Sequence, residues 1–273
     1  MKYFFLFFLF ITNSFLYAQE FKGTRGVALS GALHGSLALN EGIYHNPASI
    51  AFSERYSIEG ISSFLPSQQK KEPAWIYGGS IVDSHSPLFA AGISYYHKSQ
   101  GLFKDHVYHL AISKPVSENL SLGVTGKYVH QDFLTRSESF FDIDGGVYYI
   151  FTPAIQFGVT GHNLLAKNDE FEREVGVGSR IKVWDFLYMD FDFVKNIDAP
   201  WTKNGALLAG LEVAHNNGVI FQSGVSLSDQ SSKNLYSAGL GWAKHKFGVF
   251  YAYQNSMDAL ARQTHVLSLR VFF

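Results

Sequence analysis

From Arg55 to the C-terminal Phe273 the chain repeats with a period of two, apolar residues alternating with polar or small ones. Leu120, Leu122 and Val124 alternate with Ser121, Gly123 and Thr125. Phe141, Ile143, Val147 and Tyr149 alternate with Asp142, Asp144, Gly146 and Tyr148. The same holds for Leu187, Met189, Phe191 and Phe193, and again for Val249, Tyr251 and Tyr253. This period specifies strands with two unlike faces and leaves no room for a helical body. About fourteen such segments can be marked, each near the length of a tilted membrane strand. Their connections fall into two alternating sets. Residues 83–87, 115–119, 152–153, 184–185, 215–218 and 244–246 make short turns. Residues 65–72, 98–104, 133–139, 164–172, 197–203, 228–233 and 256–262 make longer, more polar loops. Short turns on one side and longer loops on the other are the pattern of an antiparallel outer-membrane barrel.

The polarity of the two faces separates that reading from a soluble sandwich, which also alternates. Glu59, Lys127, Asp142, Asp144, Arg180, Asp190, Asp192, Glu212 and Arg270 all fall on the face that also carries Gly and Ser. In a barrel set in lipid this face turns to the lumen, and the Leu/Phe/Tyr face turns outward. Composition agrees. Charged residues are 16% of the chain and aromatics another 16%, with 25 Phe, 15 Tyr and 25 Gly. The net charge of -1 gives no footprint for nucleic acid, and the absence of Cys excludes disulfides and thiolate chemistry. The expected fold is all-β, a transmembrane antiparallel β-barrel of about fourteen strands, with outer-membrane lipid as its surroundings.

Two stretches do not alternate. Residues 1–18 have a basic start (Lys2), an apolar core from Tyr3 to Ile11 and a small residue at Ala18, which reads as a secretory signal peptide. Residues 19–52 are rich in Gly, Ala and Ser and precede the first strand. A lumen of about fourteen strands is wider than side chains fill, so this segment is expected to enter it as a hatch or plug, ahead of a barrel over 53–273. At the other end His265, Leu267, Leu269, Val271 and Phe273 share one face. The terminal Phe273 resembles the C-terminal β-signal that outer-membrane assembly machinery recognises.

The run Arg25-Gly26-Val27-Ala28-Leu29-Ser30-Gly31-Ala32, followed by Gly42-Ile43-Tyr44-His45-Asn46-Pro47-Ala48-Ser49-Ile50-Ala51, resembles the N-terminal hatch of the FadL/TodX family, whose broad superfamily includes PorV/PorQ-like barrels. Ser30, His45 and Ser49-Ile50 depart from the family pattern. The resemblance implies passive transport of a small hydrophobic ligand across the bacterial outer membrane, with no cofactor and no bond chemistry. It implies that Asn46, Pro47 and Ala48 shape the hatch and that Tyr44 and His45 contact ligand. The alternative within the superfamily is a non-transporting, partner-binding barrel. The family also has a strand kink that opens the wall sideways, and Gly78-Gly79 is the expected place for it, since paired glycines inside a strand suggest a bend or bulge, as at Gly145-Gly146.

Other chemistry finds little support. His97, His106, His109 and His130 lie near Asp105 and Asp132 at one rim, the residue types of a hydrolase. His106 and His130 fall on the outward face, however, and no Ser sits in a nucleophile motif. No His pair has ligand spacing on one strand face, so neither metal site nor enzyme is expected. The lumen charges are expected to pair across neighbouring strands: Arg180 with Asp190, Asp192 and Glu212, Lys127 with Asp142 and Asp144, and Glu59 with Arg270 across the closure.

Overall fold

The computed structural model describes residues 21–67, 72–86, 88–134, 136–165, 171–200, 202–229, 234–258 and 262–273. The expected signal peptide therefore lies outside the described residues. Two short helices, α1 (Gly23–Ala28) and α2 (Gly42–His45), and two 3-10 turns (Leu39–Glu41 and Pro47–Phe52) come first. Then follow β1 (Tyr56–Leu65), β2 (Ala74–Asp83), β3 (Ala90–Gln100), β4 (Phe103–Pro115), β5 (Leu120–Asp132), β6 (Ser137–Thr152) and β7 (Ile155–His162). The second half adds β8 (Glu174–Trp184), β9 (Leu187–Asn196), β10 (Gly205–Ala214), β11 (Val219–Ser228), β12 (Leu235–Lys244), β13 (Phe247–Ser256) and β14 (Thr264–Phe272).

Every strand pairs antiparallel with its sequence neighbours, and β14 returns to β1 from Ser57↔Phe272 to Phe64↔His265, closing the ring. Closure removes the unpaired edges that an open sheet would expose. Alternation sets the two faces. On β9, Asp190 and Asp192 are 1% and 4% exposed inside the ring, whereas Phe191 and Phe193 are 48% and 44% exposed outside. The outward surface is a band of Leu, Ile, Val, Phe, Tyr and Trp, including Tyr95, Tyr108, Leu110, Leu240 and Leu267.

Two expectations are corrected. Residues 98–104 do not form a long loop. β3 and β4 continue through them to a two-residue turn, Gly101-Leu102, where Gly101 takes the positive φ (59°) that such a hairpin needs. Likewise the second half of 133–139 is already β6. Nor is there a bulge at Gly78-Gly79: the register runs unbroken through both residues towards β1 and towards β3. It is also regular at Gly145-Gly146. Register shifts occur instead between Ile150 and Thr152 and between Lys182 and Trp184, close to the short turns after β6 and β8.

The N-terminal segment lies inside the ring. α1 packs against β11 to β14, and the 3-10 turn Pro47–Phe52 packs against β3 to β6, so the segment bridges opposite walls. Leu29, Leu33, Ile43 and Ile50 are fully buried there. Its backbone reaches the wall where the strands carry glycine. A Cβ on Gly158 would lie 1.8 Å from the His34 carbonyl oxygen, and one on Gly224 would lie 2.3 Å from Leu29. The lumen glycines are there for close approach.

Candidate functional site

The inner surface of β1 to β6 is ordered in rows, because cross-strand partners share a level. One row reads Ile61↔Gly78↔Tyr96↔Val107↔Val129↔Phe140, apolar on all six strands. The row nearer the short turns reads Glu59↔Ser80↔Ser94↔His109↔Lys127↔Asp142, and the row nearer the loops Ser63↔Ile76↔Lys98↔Asp105↔Gln131↔Glu138. An apolar belt one residue high thus runs between two largely polar rows. Gly78 is a member of the belt. A Cβ there would stand 2.8 Å from the Cβ of Tyr96 and 2.6 Å from the Tyr95 carbonyl oxygen, so glycine gives the Tyr96 side its room. Aromatic rings close the belt from within. Phe21 packs on Tyr96 and Tyr44, with ring centroids 5.0 and 5.1 Å apart, and Phe171 packs edge-on against Phe140 at 5.1 Å.

Charge gathers on β8 to β10. Arg180 donates to Asp190 at 2.9 Å and to Glu212 at 2.5 Å. Arg25 from α1 reaches the same Glu212 carboxylate at 2.8 Å, and Gln222 donates to it at 2.7 Å. Ser36 donates to Asp190 at 2.5 Å. The backbone N–H of His34 donates to Asp192 at 2.8 Å, and the His34 ring Nδ1 stands 2.6 Å from the same oxygen. Two further groups lie elsewhere. Lys127 contacts Asp144 at 2.8 Å, while Asp142 accepts from the Leu165 N–H at 3.0 Å and shapes the chain after β7. Across the closure Arg270 donates to Glu59 at 2.6 Å and to Glu41 of the segment at 3.2 Å. Buried charges survive only when paired in this way, and losing one partner costs about 3–5 kcal/mol.

The motif residues Tyr44 to Ala48 form the segment's inner corner. Asn46 is extended (φ -150°, ψ 98°), as the residue before Pro47 must be, and its side chain accepts from the Ala48 N–H at 3.1 Å. Its amide donates to the His34 carbonyl at 2.8 Å and to the Val147 carbonyl of β6 at 3.1 Å. The Ala48 carbonyl accepts from Ser113 and Ser121 at 3.0 and 2.7 Å. Tyr44 and His45 are both buried. The Tyr44 hydroxyl is engaged by Ser94 and Ser80, and burial pushes its pKa up. His45 Nε2 donates to the Lys22 carbonyl at 2.8 Å; burial, followed by the nearby His34, holds its pKa well below the usual range, so the ring is neutral.

His97, His106 and His130 are cross-strand partners on the outward face, and His109 alone of the four points inward, its Nδ1 2.9 Å from the Ser94 hydroxyl. His130 stands 2.7 Å from Ser139 and 3.4 Å from Asp132, the latter longer than a hydrogen bond, and the His130 and Asp132 side chains are more than a third exposed. That arrangement lacks the buried, fixed acid of a hydrolase.

Sequence reasoning missed Phe21, Arg25, His34, Glu41 and Phe171 as members of the site. One signal was present: the nine expected lumen charges comprise six acids and three bases, and the surplus requires cations from outside the strands. Arg25 supplies one, at Glu212.

No family model and no curated protein matches the sequence. Solved structures do match. The toluene transporter TbuX of Ralstonia pickettii superposes with a TM-score of 0.72 at 11% identity, over 92% of this chain and 98% of that one. The monoaromatic hydrocarbon channel CymD gives 0.68 at 13% identity, over 92% and 97%. A FadL homologue of Pseudomonas aeruginosa gives 0.63 at 12% identity, over 92% and 98%. At these identities the likeness is one of architecture, and the chain has the fold of the hydrophobic-compound channels to which its N-terminal motif is similar.

Proposed function

We propose that this chain is a bacterial outer-membrane barrel through which small hydrophobic molecules diffuse, with the segment before β1 as the hatch that gates the lumen. The outward Leu/Phe/Tyr band supports placement in lipid, because closed barrels satisfy their backbone internally and can turn apolar side chains to hydrocarbon. Phe273 directly follows β14 and is read as the recognition point for assembly machinery. The observation that carries the transport reading is the apolar belt from Ile61 to Phe140, with Phe21 and Phe171 against it. A small apolar solute loses little by leaving lipid for such a surface and meets no obligatory polar partner on it. The similarity to toluene and monoaromatic channels agrees with a solute of that kind. Asn46, Pro47 and Ala48 fix the hatch corner. Tyr44, in ring contact with Phe21 and lying beneath the belt, with His45 beside it, meets solute once the hatch shifts.

A second reading, a partner-binding barrel of PorV/PorQ type that transports nothing, draws support from the density of polar contacts fixing the segment. Liposomes carrying the purified protein separate the two. Under the transport reading, apolar probes cross through intact protein and sugars do not, while deletion of residues 20–51 admits sugars. Intact protein that passes no probe at all sinks the transport reading and leaves the second.

A further inference from the structure

The segment's contact with the closing seam has an unusual charge balance. The Glu41 carboxylate is wholly buried. Its Oε1 accepts from the Arg25 N–H at 2.9 Å and its Oε2 from the Gly26 N–H at 2.7 Å, the first-turn amides of α1. Among the described residues the one cationic side chain bonded to it is Arg270 of β14, and that guanidinium makes its shorter contact, 2.6 Å, with Glu59 of β1. Both contacts use the same nitrogen, Nη2, and the Arg270 Nε finds no partner among the described residues. Arg25 offers Glu41 only its backbone, since its guanidinium belongs to Glu212. Tyr44 of α2 is the remaining titratable neighbour, and it is neutral. Two carboxylates therefore share one cation in an almost fully buried site.

We propose that Glu41, Glu59 and Arg270 form a proton-dependent anchor that holds the N-terminal segment to the β1–β14 seam, seated when the pair of acids carries a proton and loosened when it gives that proton up. Two like charges on one guanidinium cannot both be well compensated at low dielectric, which is the condition under which a carboxyl pair retains a proton towards neutral pH. Burial, then the Glu59 charge, raises the Glu41 pKa from 4.5 to about 7. The sign follows from linkage. A carboxyl whose pKa is raised in the seated state binds more protons there than when released, so seating is favoured below about pH 7 and weakens as pH rises through that value. This property concerns the segment's position alone and goes beyond the transport reading.

Amide hydrogen exchange on the purified full-length protein in detergent tests it, with rates corrected for intrinsic base catalysis. In the wild type, protection at residues 23–29 should fall roughly tenfold between pH 6 and pH 8, the ratio that a shift from 4.5 to 7 produces, while strand β5 stays unchanged. Glu41→Gln should abolish the pH dependence. Glu59→Gln leaves one acid for one cation and should move the transition below pH 6. Wild-type protection that is flat between pH 6 and 8, a loss shared equally by β5, or an unaltered pH dependence in Glu41→Gln each overturns the anchor. Because the readout is the segment's own exposure, none of these outcomes bears on whether solutes cross, and failed solute passage leaves the anchor untouched.

Discussion

Two regions of the lumen are built from opposite materials. Around β8 to β10 the wall is glycine and charge: Gly178, Arg180, Asp190, Asp192, Gly210 and Glu212, with Arg25 and His34 of the segment fitted into them. On β1 to β6 a belt of aliphatic and aromatic side chains crosses the wall. The first region is directional. Each contact has a fixed length and angle, so the segment has one position there and is expensive to move. The second is non-directional, and an apolar body can slide along it while losing few contacts at any moment. Under the proposed function, one barrel holds a polypeptide firmly and a small solute loosely by distributing polarity around its circumference.

Glu212→Leu strikes the charged region hardest. Arg25 would lose its carboxylate and Arg180 one of its two, with an expected loss of about 3–5 kcal/mol in unfolding free energy; an unchanged thermal midpoint in detergent would mean that this region is no anchor. Gly158→Val acts through shape. Its new side chain meets the His34 carbonyl, and the overpacking should cost about 1–3 kcal/mol and raise amide exchange in residues 30–36. Protection equal to wild type there would show that the segment does not depend on the glycine wall. The mildest change sharpens the contrast: Ile61→Val on the belt should cost only about 1 kcal/mol and leave exchange at His34 unaltered, while changing the rate at which apolar probes cross. A belt substitution that loosened His34 would erase the distinction between the regions.

Much of this architecture was legible in the sequence because parity is a local property. Asp190 and Phe191 turn to opposite sides in any strand, whatever surrounds them. The polar stretch from Lys98 to Gln100 misled for a physical reason: strands that continue past the apolar band keep their pairing and lose their hydrophobic signature, so β3 and β4 read as loop where they are strand. Gly78 misled differently. Its sequence context fits a bulge, whereas its use is to make space for Tyr96, a fact about the neighbouring strand. The segment's partners were out of reach for a third reason. Arg25 and Glu212 are 187 residues apart, and a chain without periodicity carries no sign of which wall each side chain will meet.

The seam carries a consequence for how the molecule is made. Arg270 meets Glu59 across 211 residues and Glu41 across 229. The pairing of the last strand with the first brings Arg270 against Glu59 and makes the site that Glu41 meets. Loop-closure entropy makes such distant encounters late steps in folding. The order of events is thereby constrained: the segment cannot be tied to the seam through Arg270 and Glu59 together before β14 has paired with β1. The pairing that completes the ring is then also the one that creates the segment's docking point on the seam.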